Sequence, residues 1–264
     1  MESGPPGAKI MGILNITPNS FSDGGKFLNQ DQAIAKLHRL MREGADIIDI
    51  GGESTKPHSS PVTAEIELNR VRSVIDYIFS DRLFDRQLFS IDTYKHEVAE
   101  YALAHGFKMV NDITSLAGDE KMIDIVKTFR AKIVIMYNSM VNRAPQSKNH
   151  IDIVLEIKKF LKERVELLIA KGIDRDQIII DPGMGAFISQ SPIYSFEVIN
   201  RLSEFKDLGC PILVGPSRKL WAGGNIKTKD ERSVELSLQA IENGASIIRI
   251  HNVRLMRKKL YTGQ

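Results

Sequence analysis

The chain has 264 residues, of which 42% are hydrophobic and 26% are charged, and its formal net charge is +3. This balance is ordinary for a soluble globular protein and is too weakly basic to indicate binding to nucleic acid or to a membrane. The single cysteine, Cys210, excludes an internal disulfide, and no apolar stretch approaches the roughly 20 residues needed to span a bilayer. These features favour a cytoplasmic protein.

Residues 1–8 contain neither the basic region nor the apolar region of a signal peptide. We expect them to form a flexible leader. Residues 9–264 have the length of one (β/α)8 barrel, about 250 residues. They contain no Pro- or Ser-rich linker, and we therefore expect a single domain.

Eight short apolar runs recur along the chain, and each is typical of a parallel strand that is buried on both faces. The runs are residues 9–16, 46–51, 88–92, 108–113, 132–137, 177–181, 211–215 and 246–251. Amphipathic helical patterns lie between them, with helix starts expected at Asn29 and Thr63, and three lead into a strand through a glycine (Gly44, Gly106, Gly244). This alternation predicts an α/β fold, the (β/α)8 TIM barrel, whose active site lies at the carboxyl ends of the strands.

Carboxylates and amides occur at or next to the predicted strand ends. They are Asn15, Asp49, Asp92, Asn111, Asp112 and Asp181. Burying several carboxylates together is costly unless each meets a donor, and the edge of an aminopyrimidinone carries such donors. Asp92 could equally cap the helix that follows it, whereas Asp181 precedes Pro182-Gly183 and has no helical pattern directly after it.

Cations follow the last two predicted strands, where TIM barrels commonly bind phosphate. Arg218 and Lys219, preceded by Ser217, follow the seventh strand, and Arg249 and His251 end the eighth. Their grouping predicts a phosphorylated or diphosphorylated ligand. The sequence therefore indicates a bipolar pocket, with hydrogen-bond acceptors deep in the barrel and an anion site near its rim.

Three polar connections are long for a barrel: residues 18–28, 52–62 and 137–150. Loops of this length are usually functional lids or are disordered. The aromatic Phe21 in the first could contact a ligand or pack within its own loop.

Residues 11–25, MGILNITPNSFSDGG, resemble the first signature of the dihydropteroate synthase family, and residues 44–57, GADIIDIGGESTKP, are similar to the second. Shorter matches follow in the family's order at residues 90–93, 111–113, 181–183, 217–219 and 249–251. The resemblance implies a pterin-binding barrel of folate biosynthesis that transfers a dihydropterin-methyl group from its diphosphate to 4-aminobenzoate through a cationic intermediate. It also implies Mg2+, a homodimer, and a possible fusion to or partnership with another folate-pathway enzyme.

The resemblance assigns roles to matching positions. Pterin would bind to Asp92, Asn111, Asp181 and Lys219. Diphosphate would bind to Asn15, Lys56, Arg249 and His251, with Mg2+ on Asn15. The 4-aminobenzoate would meet Phe21, Ser54, Thr55, Pro57, Phe187 and Ser217. The catalytic set would be Asn15, Asp23, Asp92, Lys219, Arg249 and His251.

The sequence departs from the family pattern at Asn19, where aspartate is usual, at residues 137–139, and at residues 186–189 near the expected 4-aminobenzoate wall.

Two alternative functions remain open on the sequence. A corrinoid-dependent methyltransferase-like barrel would share the acidic strand ends but would need no diphosphate site, so the cations argue against it. A non-catalytic paralogue that binds pterin or a partner enzyme is compatible with the departures.

Overall fold

The computed structural model describes residues 7–17, 26–54, 59–140, 143–147, 149–216 and 225–262. Most of the expected leader, residues 1–6, lies outside this part of the chain. Most of the first long connection, residues 18–25, lies outside it as well, as does the departure at Asn19.

In the part of the chain that the structure describes, eight parallel strands form one sheet in the order β6-β5-β4-β3-β2-β1-β8-β7. Their bounds are Lys9–Asn15 (β1), Ile47–Gly51 (β2), Leu88–Asp92 (β3), Met109–Asp112 (β4), Lys132–Met136 (β5), Ile178–Asp181 (β6), Leu213–Val214 (β7) and Ile247–Ile250 (β8). A parallel bridge between Ile180 and Ile212 joins β6 to β7, so the sheet is nearly closed into a barrel. The predicted TIM barrel is confirmed.

Strand β7 is shorter than the predicted run, residues 211–215. Pro211 has no N–H to donate to a neighbouring strand, and its carbonyl instead accepts from the Ile180 amide at 3.0 Å. Regular pairing with β8 begins only at Leu213, opposite Ile247.

Within the described ranges, eight α-helices alternate with the strands. They are Lys26–Arg42 (α1), Ala64–Ser80 (α2), His96–Ala104 (α3), Lys121–Phe129 (α4), Ile153–Ala170 (α5), Ile193–Asn200 (α6), Ile226–Glu242 (α7) and Val253–Thr262 (α8). Thr63 caps α2 as predicted, since its side chain accepts from the Ile66 amide. The start expected at Asn29 is wrong, because α1 begins at Lys26 and Asn29 lies inside its first turn. No helix in these ranges is long and apolar enough to cross a bilayer.

The three glycines that end helices before strands all have positive φ values, 85° at Gly44, 92° at Gly106 and 115° at Gly244. A left-handed residue at this position ends a helix and turns the chain back toward the sheet, and glycine adopts it without steric cost.

The barrel interior has an apolar floor. Its buried members are Met11, Ile47, Met109, Val134, Ile179, Leu213 and Ile247. Because successive side chains of a strand point to opposite faces, the next inward positions lie two residues farther along each strand. The polar side chains among those positions are Asp49, Asn111, Asp181 and Arg249. Together with Ser90, two residues after Leu88, which packs against the floor, they form what we call the polar layer. The remaining core packs the outer face of the barrel against the helices.

Candidate active site

An arginine at the centre of the barrel joins three strands. The Nε of Arg249, on β8, donates to Oδ2 of Asp49 on β2 at 2.7 Å, and its Nη2 donates to Oδ2 of Asp92 on β3 at 2.6 Å. Asn111, on β4, donates from Nδ2 to the same Asp49 oxygen at 3.1 Å. The Asp49 side chain is fully buried and that of Asp92 is 10% exposed, so Arg249 supplies the cation that these carboxylates need.

Asp181 ends β6 in a turn that requires glycine. Its Oδ1 accepts from the Gly183 amide at 2.7 Å. Gly183 has a φ of 75°, and a Cβ there would lie 2.5 Å from the carbonyl oxygen of Tyr137. The next α-helix, α6, begins only at Ile193, so Asp181 caps no helix, as its sequence context indicates.

Burial disfavours charge on two of these carboxyls. It raises the pKa of Asp181 to about 7, although the Gly183 amide and the Arg249 charge oppose the rise. Burial also raises the pKa of Asp92 to about 7, against the lowering effect of Arg249, and the neighbouring Asp49 adds to the rise. Both groups therefore change protonation near neutral pH, which is typical of functional sites.

Two buried oxygens of the polar layer have no hydrogen-bond partner within the described part of the protein. They are Asp49 Oδ1 and Ser90 Oγ. Leaving such groups unsatisfied costs about 1–3 kcal/mol each. A ligand with several N–H and carbonyl groups, such as an aminopyrimidinone ring, matches this unsatisfied polar surface.

Asp112 does not belong to the site, although it adjoins a strand end. It follows Asn111 on β4 and therefore points to the opposite face. Its carboxylate accepts from the Thr114 amide and hydroxyl, both at 2.7 Å, and from the Leu116 amide at 3.1 Å. Asp112 thus stabilises the turn after β4, while burial raises its pKa to about 6.

Four more of the predicted site residues lie at the carboxyl end of the barrel. Asn15 is the half-buried last residue of β1, and His251 is exposed directly after β8. Ser54 follows β2, and Phe187 lies in the short 3-10 turn Gly185–Phe187 after β6. The other predicted residues, Phe21, Asp23, Thr55, Lys56, Pro57, Ser217 and Lys219, lie outside the described residues.

The structure adds Ser90 to the site and shows that Asp49, named from the sequence only as a strand-end carboxylate, binds Arg249 and Asn111 there. The Nε and Nη2 atoms of Arg249 are directed to carboxylates inside the barrel, and its role at the diphosphate stays a prediction. The alternation of side chains along β2 places Asp49 on the inner face of the barrel, since it lies two residues after the floor residue Ile47.

Comparison with known proteins agrees with this geometry. The sequence profile of the pterin binding enzyme family matches residues 11–251, and the chain belongs to this family. The dihydropteroate synthase of Bacillus subtilis is 35% identical over 249 residues, which cover 93% of this chain and 84% of that protein. A solved structure of the dihydropteroate synthase from Clostridium difficile, in the presence of pteroic acid, has a TM-score of 0.88 and 38% identity, covering 97% of this chain and 95% of that one.

A longer relative is the folic acid synthesis protein fol1 of Schizosaccharomyces pombe. It is 37% identical over 268 residues, which cover 96% of this chain and 35% of that protein. Within the pterin-binding family, the chain is a dihydropteroate synthase, a transferase of folate biosynthesis.

The raised pKa of Asp181 predicts a pH-dependent stability. Between its ordinary value of 3.8 and about 7, the folded state holds a proton that the unfolded state has lost, so stability falls as pH rises. One such group contributes at most about 1.4 kcal/mol per pH unit. Urea unfolding at pH 5, 6 and 7 gives the slope of the unfolding free energy against pH. The Asp181→Asn variant is expected to show a smaller slope than wild type. Asp124→Asn, an exposed carboxylate on α4, is the matched control. Equal slopes for Asp181→Asn and wild type would contradict the prediction.

Proposed function

We propose that the chain condenses 7,8-dihydropterin-6-ylmethyl diphosphate with 4-aminobenzoate, giving 7,8-dihydropteroate and diphosphate. The polar layer carries this proposal, because Asp49, Asn111, Asp181 and Arg249 are brought together above an apolar floor. The acceptors at this depth suit the N–H groups of a pterin. Pteroic acid, present in the Clostridium difficile structure, joins a pterin to an aminobenzoate.

The pterin ring would lie against the polar layer. Asp181 and Asp92 would accept from its amino and ring N–H groups, and Asn111 would pair with a neighbouring donor and acceptor. Arg249 would keep Asp92 ionised when these donors arrive, since it already lies 2.6 Å from that carboxylate. Lys219 is proposed as a fourth pterin ligand on the family resemblance alone.

The proposed chemistry is a substitution at the pterin methylene carbon. The C–O bond breaks with its electron pair on the departing diphosphate, which leaves positive charge on the pterin-methyl group. The carboxylates of Asp92 and Asp181 stabilise that charge. The aniline nitrogen of 4-aminobenzoate then bonds to the carbon and loses a proton, and its own nucleophilicity makes a strong general base unnecessary. Asn15, Lys56, Arg249 and His251 are proposed to bind the leaving diphosphate.

Mg2+ is proposed as the metal cofactor, with Asn15 as its protein ligand. An amide oxygen at the half-buried end of β1 suits this hard cation, which commonly takes one or two protein ligands and completes its shell with phosphate oxygens and water. Within the described ranges, a cluster with metal-ligand spacing is formed by His96, Glu97 and Asp119, on the start of α3 and just before α4. When bound, the metal would neutralise charge on the diphosphate.

Mg2+ and diphosphate are expected to stabilise the protein more together than the sum of their separate effects, because Asn15 alone is a weak metal site. A ligand at a hundredfold excess over its Kd adds about 2.7 kcal/mol. Thermal unfolding with each ligand and with both checks this. The Asn15→Ala variant is expected to lose the extra shift, and strictly additive shifts in the wild type would contradict the prediction.

Release of diphosphate in the presence and absence of 4-aminobenzoate tests the proposed reaction. Turnover should require both substrates and should yield one diphosphate per dihydropteroate. Methyl transfer without diphosphate release would support the corrinoid-dependent alternative. Pterin binding without turnover would support a non-catalytic paralogue.

The remaining proposals concern assembly and location. The family resemblance supports a cytoplasmic homodimer. The greater length of the fission yeast relative supports a partnership with, or fusion to, another folate-pathway enzyme.

A further inference from the structure

The loop between β5 and α5, residues 137–152, has no part in the reaction proposed above. It contacts the turn after β6 through Ser139. The Ser139 amide donates to the carbonyl oxygen of Phe187 at 2.8 Å, and its Oγ donates to that of Ile188 at 2.7 Å. Farther along, the Gln190 amide donates to the carbonyl oxygen of Gln146 at 3.1 Å. The loop thus holds the backbone that carries Phe187, one wall of the proposed 4-aminobenzoate site.

The same loop also contacts the chain after β2, through Arg143. The Nη1 of Arg143 donates to the carbonyl oxygen of Ser54 at 2.8 Å and to Ser59 Oγ at 3.0 Å. Ser59 Oγ donates to that same Ser54 oxygen at 2.7 Å. The Nη2 of Arg143 pairs with the Glu53 carboxylate and donates to the Tyr94 hydroxyl oxygen at 3.1 Å. One guanidinium therefore fixes the backbone at Ser54, the other described residue of the proposed 4-aminobenzoate site.

Arg143 pairs with a charged partner that is nearly buried and well hydrogen-bonded. Glu53 is only 8% exposed, and it accepts from Lys95 Nζ at 2.5 Å and from the Val62 amide at 3.1 Å. Lys95 also pairs with the fully buried Glu67 on α2. Burial by itself would raise the pKa of Glu53, but the hydrogen bonds from Lys95 and Arg143 outweigh it and hold that pKa below its usual value.

Close packing supports this arrangement. A Cβ at Gly52 would lie 2.9 Å from both the side chain and the carbonyl oxygen of Glu67, so glycine lets the chain pass against α2 at this point. Arg143 itself has a φ of 61°, in the left-handed region that an arginine seldom adopts. A disfavoured backbone persists only where the surroundings determine it, and such residues occur often at functional sites.

We propose that Arg143 and Ser139 are positioning residues which set the separation between Ser54 and Phe187 and thereby the affinity for the aryl substrate. The β5–α5 loop spans these two walls and hydrogen-bonds to the backbone of both. Within the described part of the chain, the hydrogen bonds of Arg143 and Ser139 lead to the two walls and not to the polar layer, so these residues act on the second substrate and not on the pterin. This inference rests on the proposed 4-aminobenzoate roles of Ser54 and Phe187.

Steady-state kinetics of Arg143→Ala, Ser139→Ala and the double variant test the proposal. The KM for 4-aminobenzoate is expected to rise about tenfold or more in Arg143→Ala, because small displacements of substrate-positioning groups have large effects. The rise in this KM is smaller in Ser139→Ala, since the backbone amide of residue 139 still donates its hydrogen bond to the Phe187 carbonyl oxygen. The KM for the pterin diphosphate and the kcat at saturation stay within about threefold of wild type. Arg143→Lys restores part of the affinity, because an ammonium group can meet Glu53 but lacks the fork that also binds Ser54.

Matched controls are Arg42→Ala and Ser203→Ala, both exposed and outside the two loops. Arg143→Ala should remain folded, since Glu53 keeps its bonds to Lys95, and thermal unfolding verifies this. An unchanged KM for 4-aminobenzoate, or an equal rise for both substrates, overturns the proposal.

Hydrogen–deuterium exchange gives a readout that does not depend on turnover. Arg143→Ala is expected to speed exchange in peptides covering residues 52–62, with peptides from β4 unchanged. Unchanged exchange at 52–62 overturns the positioning role. Wild-type protein that releases no diphosphate would contradict the proposed function instead, and the exchange result would still decide whether Arg143 fixes this segment.

Discussion

Asp181→Ala is expected to weaken pterin binding severely while leaving the barrel folded. Asp181 is buried at the end of β6, caps no helix, and accepts a hydrogen bond from the Gly183 amide. Removing one member of a buried, charge-assisted pair costs roughly 2–5 kcal/mol, or about 30- to 4,000-fold in affinity. Calorimetric titration with a pterin measures the loss directly.

The Asp181→Asn variant shows how much of the pterin affinity depends on the charge of this side chain and how much on its shape. Its amide oxygen can still accept from the Gly183 amide, so the turn is preserved, but it cannot carry the charge that a pterin donor favours. We expect an affinity between those of wild type and Asp181→Ala. Circular dichroism should show native helix content in both variants. Wild-type affinity in Asp181→Ala would remove this residue from the site.

The barrel and most of its acidic site could be predicted from the sequence because both depend on local pattern. Short apolar runs indicate buried parallel strands, and the topology of a barrel then brings all their carboxyl ends to one face. That reasoning located Asp92, Asn111 and Asp181 without knowledge of any contact. It also included Asp112, because position at a strand end does not distinguish the inner face from the outer one.

The pairing of charges could not be predicted, since it depends on which side chains meet across the barrel. Arg249 and Asp49 are 200 residues apart in sequence and 2.7 Å apart in space. An arginine next to a histidine at a strand end predicts an anion site, and nothing local shows that its guanidinium lies against two carboxylates. The contacts of Arg143 were likewise hidden, because they join three loops whose lengths give no indication of their relative positions.

Arg249→Met is expected to have the largest effect on both stability and turnover. The variant leaves the fully buried Asp49 and the nearly buried Asp92 without their cation. Breaking one partner of a buried ion pair costs about 3–5 kcal/mol, and loss of a preorganised charge at a reacting centre lowers kcat by about 10²–10³-fold. Urea unfolding and the diphosphate-release assay measure the two effects. Arg254→Met, an exposed position on α8, is the control for loss of an arginine.

The double variant Asp49→Asn/Arg249→Met shows whether the lost stability of Arg249→Met arises from the unpaired Asp49 carboxylate and whether the lost turnover has a separate cause. If the instability of Arg249→Met arises from an unpaired carboxylate, neutralising Asp49 should recover part of the lost stability, with a coupling energy of about 0.5–3 kcal/mol. Turnover should not recover, because Asp92 still lacks the cation that keeps it ionised against the pterin. A double variant that is no more stable than Arg249→Met would mean that packing, and not charge, is what Arg249 contributes to the fold. Recovery of turnover would show that Arg249 serves only to neutralise Asp49.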